Sequence, residues 1–120
     1  MNLFAQITER LEQLNISCTG FWNNRDFYTK GSLQLMEHNG EFYWDKKSSN
    51  LCYDYPIRSI DDLDQLVKLY DKLDYCLANP RSVTLDEYNK CMSDIKQLRK
   101  NWNKAENIKN QESFEDLKNF

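Results

Sequence analysis

The sequence predicts an α+β domain, with a small antiparallel sheet of about three strands, an N-terminal helix and a C-terminal antiparallel helical hairpin packed on one face. Three observations carry that expectation. Apolar residues at helical spacing open the chain, an Asn-Gly pair divides two strand-like runs in its middle, and two capped amphipathic stretches follow. A length of 120 residues suits one compact domain. Residues 1–110 are expected to form it, and 111–120 a C-terminal tail that can hold a short helix.

Residues 2–14 place Leu3, Phe4, Ile7, Leu11 and Leu14 on one stripe, with Glu9, Arg10, Glu12 and Gln13 between them. The pattern changes at Asn15, and Ile16 to Trp22 reads as a strand followed by a turn or loop over Asn23–Asp26. Leu33–Glu37 and Phe42–Asp45 flank His38-Asn39-Gly40-Glu41, the strongest short hairpin signal, because a type I′ turn needs positive φ at both central residues. That loop opposes Leu35 to Trp44, Met36 to Tyr43 and Glu37 to Phe42. One sheet face then gathers Leu33, Leu35, Phe42 and Trp44 over a helix, and the other shows Gln34, Met36, Tyr43 and Asp45. A further strand is expected over Asn50–Tyr55, stopped by Pro56.

Ser59 with Asp62 three positions on begins a second helix, whose core face is Leu63, Leu66, Val67, Tyr70, Leu73 and Leu77. Asn79-Pro80 ends it. Thr84-Leu85-Asp86-Glu87 is a capping box for a third, with Leu85, Tyr88, Met92, Ile95, Leu98 and Trp102 on one stripe. The short connection makes these two antiparallel neighbours. Beyond Lys104 the pattern loosens, and Ser113 to Asp116 offers a cap for a last turn.

Sixteen basic and nineteen acidic residues give a net charge of −3 and an isoelectric point near 5.2. This balance argues against general nucleic-acid binding, which rests on neutralising phosphates. Residues 59–80 hold five acids against two bases, so the second helix is the main electrostatic handle. Asn, Lys, Ile, Tyr and Phe make up 43 residues, and Gly, Ala, Arg and Pro only 13. Such usage follows AT-rich codons and points to a low-GC bacterium, its phage, a mobile element or a similar virus. The apolar runs are too short to span a bilayer, and the N-terminus lacks a signal-peptide pattern. The expected compartment is the cytoplasm of a bacterial or virus-infected host cell, with Cys18, Cys52, Cys76 and Cys91 as free thiols.

No motif specifies a reaction. His38, the sole histidine, sits at a hairpin tip where nothing tunes it. The three glycines cannot write a phosphate loop, and no cysteine spacing matches a metal site. Neither catalytic residues, a metal nor a cofactor is therefore expected. Asp61, Asp64, Asp71 and Asp74 fall within about 140° of helix surface opposite the leucines. Their plain reading is a solvated face with an Asp64–Lys68 pair; their functional reading is docking on a basic surface such as a nuclease groove. Tyr43, Tyr53 and Tyr55 supply an outward tyrosine patch suited to protein contact. Lys96, Lys100 and Lys104, with Arg99 beside them, read as cations at a helix C-terminus.

Together these features imply a non-enzymatic inhibitor that docks stoichiometrically on a larger protein. The phage or mobile-element origin makes a bacterial defence effector the expected target, in the manner of anti-CRISPR proteins as a class. An immunity protein that neutralises a bacterial toxin, and a nucleic-acid-binding regulator, are the alternatives. An exposed edge strand leaves a homodimer open.

Overall fold

The structure, a computed structural model, describes residues 2–45 and 55–118, with side chains as far as Trp102. Helix α1 (Leu3–Gln13) is capped by Asn2, whose side chain accepts the Ala5 amide at 2.8 Å. It ends where Asn15 takes φ 57°. Its apolar stripe buries Ile7 and Leu11, and the Phe4 ring stacks on Phe42 at 5.6 Å.

Four strands follow, one more than expected: β1 (Cys18–Trp22), β2 (Arg25–Lys30), β3 (Leu33–His38) and β4 (Glu41–Asp45). They form an antiparallel meander in the order β1-β2-β3-β4. The additional strand is β2, where the sequence pattern shows only a turn or loop at Asn23–Asp26. Its adjacent Phe27 and Tyr28 break the in/out alternation that marks a half-buried strand, and all six residues are half-buried. Asn23 and Asn24, at φ 55° and 63°, make the two-residue turn into it.

The β3–β4 register is the expected one, with Leu35 opposite Trp44, Met36 opposite Tyr43 and Glu37 opposite Phe42. Asn39 and Gly40 take φ 53° and 81° at its turn. Leu33, Leu35, Phe42 and Trp44 are buried on one face as expected. Met36, expected outward, is also fully buried; on the central part of the sheet it stands between its cross-strand neighbours Phe27 and Tyr43.

Of the strand expected over 50–55, residues 50–54 lie outside the described residues. The segment that follows pairs along β4: the Trp44 amide donates to the Tyr55 carbonyl and the Ile57 amide to the Phe42 carbonyl, both at 2.8 Å. Pro56 continues this ladder rather than stopping it. It bridges Tyr43 at a position where its neighbours make the hydrogen bonds, so its missing amide proton costs nothing.

Helix α2 (Ile60–Ala78) starts at Ser59, whose hydroxyl accepts the Asp62 amide at 3.1 Å. Helix α3 (Leu85–Lys118) starts at Thr84, which accepts the Glu87 amide at 3.2 Å. The α3 backbone runs unbroken to Lys118, past the point where the apolar pattern loosens, and no Gly or Pro interrupts it. Lys96, Lys100 and Lys104 therefore lie mid-helix, and the terminal-dipole reading does not hold.

The core is one cluster joining Ile7, Leu11, the sheet face, Leu63, Leu66 and Ile95. Trp44 is its centre. Its indole N–H donates to the Tyr70 hydroxyl at 3.2 Å, and its ring lies 5.4 Å from Trp102 and 5.8 Å from Tyr55. The Arg99 guanidinium stacks 3.9 Å above it. Arg99 thus turns into the aromatic cluster and leaves the basic stripe. Leu77 and Leu85, expected in the core, are 54% and 72% exposed. They flank the α2–α3 connection, beyond the point where Asp74 meets the β2–β3 turn and the sheet ends.

Tyr28 packs against Phe42 at 5.7 Å on the core face. Burial, then the negative charges of Cys18, Asp26 and Glu37, raises its pKa above the ordinary 10.0. A raised folded value means that this contribution is fully present below pH 10 and is lost as pH climbs through the folded value. Alkaline titration of stability should therefore be shallower for Tyr28→Phe than for the parent. Equal slopes would remove Tyr28 from that account.

Candidate functional site

The acidic stripe on α2 is largely occupied by the fold itself. Asp64 pairs not with Lys68 but with Arg10 of α1, through Nε at 2.9 Å and Nη2 at 3.2 Å. Asp71 meets Lys30 of β2 at 3.1 Å. Asp74 sits over the β2–β3 turn and accepts the Ser32 amide at 3.1 and 3.2 Å through its two oxygens. Gly31 is required there, because it takes φ 57° and an added Cβ would collide with the Asp74 carboxylate. Asp61 is exposed at the start of α2.

These ties change an expectation. Exchanging all four aspartates for serine would not leave the fold untouched, since three of them join α2 to α1 and the sheet. Asp74→Ala should destabilise by about 1–2 kcal/mol, as it strips the partner from a half-buried amide. Asp61→Ser should fall within about 0.5 kcal/mol of the parent. Urea midpoints of the two variants check both values.

The tyrosines also separate. Tyr55 is 5% exposed and packs edge-on against Trp44. It is a core residue, because the pairing of 55–57 with β4 turns its ring under the sheet. Tyr43 lies on the opposite face, half-buried, and its hydroxyl donates to Glu41 at 2.7 Å. Tyr53 lies outside the described residues.

The structure gathers the exposed aromatic surface at the other side of the sheet. Phe21 is 69% exposed and Trp22 59%, side by side at the end of β1. Strand β1 is exposed along its whole length and forms an edge of the sheet. It carries no charged residue, only Cys-Thr-Gly-Phe-Trp. The tip is held firmly: Arg25 donates to the Asn23 carbonyl at 2.6 Å, and the His38 ring contacts the Asn24 carbonyl at 3.2 Å. His38 thereby braces two neighbouring turns. In the sequence, Phe21 and Trp22 stand at the end of the strand expected over Ile16 to Trp22. The usable signal is their adjacency: in a strand, consecutive side chains take opposite faces, so both cannot enter one core.

A second feature is a groove of about 780 Å³ among α1, α2 and α3, lined by Leu14, Val67, Cys76, Val83 and Cys91. Lysines and carboxylates of both helices rim it. Among the described residues, no helix is long and apolar enough to cross a membrane. Comparison of the chain with protein-family models, curated proteins and solved structures finds no match in any of the three.

Proposed function

We propose that the protein is a non-enzymatic binding module that blocks a larger protein by stoichiometric docking, with the β1–β2 hairpin as its contact finger. The observation that carries this reading is the exposed Phe21–Trp22 pair on a braced hairpin tip. Large aromatics held in place gain contact area with little loss of entropy, and such residues dominate binding energies at interfaces. The uncharged β1, which among the described residues pairs only with β2, adds an edge beside them that a partner strand can extend. The acidic helix contributes Asp61 and the outer parts of its paired aspartates as a rim, where charge acts more on approach than on affinity.

Residue usage that follows AT-rich codons supports an origin in a phage or mobile element, with a bacterial defence effector as the target. A nuclease with a basic groove fits the chain's acidity. The test is affinity capture of the tagged chain from lysates of low-GC bacteria, with nuclease treatment, followed by titration of the captured protein's activity. Inhibition that is complete at one equivalent supports the reading. A toxin as the captured protein would make the chain an immunity protein, and recovery of nucleic acid in place of protein would make it a regulator.

A further inference from the structure

We propose that Cys76 and Cys91 form a dithiol site in the α2–α3 groove, which reacts with low-molecular-weight disulfides of the glutathione class and closes into an internal disulfide. Cys76 lies on the last turn of α2 and Cys91 on the second turn of α3. Both line the same groove, and both are half-buried free thiols. The Cys76 and Cys91 side chains lie close enough across the helical hairpin to interact, and both belong to the lining of the groove. The open groove admits a small reagent, and Lys72 and Lys90 on its rim offer cations to the carboxylates of a glutathione-type disulfide.

The chemistry is a two-step exchange. The thiolate of one cysteine attacks a sulfur of the reagent, forming a mixed disulfide and releasing one thiol. The neighbouring cysteine then attacks the protein sulfur of that mixed disulfide, closing the Cys76–Cys91 bond and releasing the second thiol. The two protons lost by the protein end on the two released thiols. The dithiol is oxidised by two electrons and the reagent disulfide is reduced. Desolvation first, then the neighbouring Cys91 and Glu87, push the Cys76 thiol above its ordinary value of 9.0. Closure staples α2 to α3 around the connection at 79–84 and constrains the unfolded chain. Neither step depends on the hairpin-docking reading.

The experiment treats the full chain with excess oxidised glutathione, quenches with an alkylating reagent, and reads intact mass and peptide maps. The expected wild-type product carries two fewer alkyl groups than the reduced, alkylated protein, with Cys76 and Cys91 in one linked peptide pair. Cys91→Ser should instead keep glutathione on Cys76, and Cys76→Ser should keep it on Cys91, because each lacks the second thiol. The closed form should also unfold at a higher urea concentration than the reduced form. Stable glutathione adducts on both residues of the wild type would overturn the proposal. So would a bond from either residue to another cysteine, or reaction confined to the exposed Cys18.

Discussion

Trp44→Ala should destabilise the fold by about 3–5 kcal/mol, the range for deleting a buried aromatic. Trp44 is fully buried at the middle of the only aromatic cluster that joins sheet, α2 and α3 among the described residues. Three rings lie within 6.2 Å of it: Trp102, Tyr55 and Tyr70. Truncation would leave a cavity between elements that cannot collapse together without moving β4. It would also free the Tyr70 hydroxyl from its indole partner and strip the Arg99 guanidinium of the ring beneath it. Arg99 Nη1 is buried without a hydrogen-bond partner among the described residues, and the guanidinium lies over the Trp44 and Tyr55 rings. A urea titration with unchanged slope and a lower midpoint checks the value. A variant that unfolds like the parent would show that the cluster does not organise the core.

The second large effect is on binding. The double change Phe21→Ser and Trp22→Ser should weaken partner affinity about 100-fold or more, as expected when two hot-spot aromatics are removed. Stability should hardly change, since both side chains are mostly in solvent already. That separation distinguishes this pair from Trp44, whose removal acts on the fold. It also distinguishes the pair from Asp64, Asp71 and Asp74, where any loss of binding would be mixed with loss of packing between α2 and its neighbours.

What the sequence makes legible follows the range of the interactions involved. The β3–β4 register is readable because Asn39-Gly40 demands one turn geometry, and that turn fixes every opposing pair. The helix starts are readable because Ser59 and Thr84 act on amides three residues away. Strand β2 is hidden because Phe27 and Tyr28 are adjacent and both partly covered. The acidic stripe is visible as a periodicity, but its use is not. Asp64, Asp71 and Asp74 meet partners 54, 41 and 42 residues away, and helical spacing says nothing about what lies opposite a helix. Tyr55 fails for the same reason: its burial depends on 55–57 pairing with β4 through Pro56, a residue that reads locally as a stop. Leu77 and Leu85 continue apolar stripes past the end of the sheet, where there is nothing left to pack on. For the hairpin finger, the sequence holds the clue of two adjacent aromatics beside Asn23-Asn24, and the structure shows both in solvent.

The most direct measurement is affinity capture run side by side with the tagged parent and the Phe21→Ser, Trp22→Ser variant, from the same nuclease-treated lysate and read by quantitative mass spectrometry. Docking through the hairpin finger predicts one protein retained by the parent in equal molar amount and lost from the variant, while the variant unfolds at the parental urea midpoint. Retention of that protein by the variant at parental levels would contradict it.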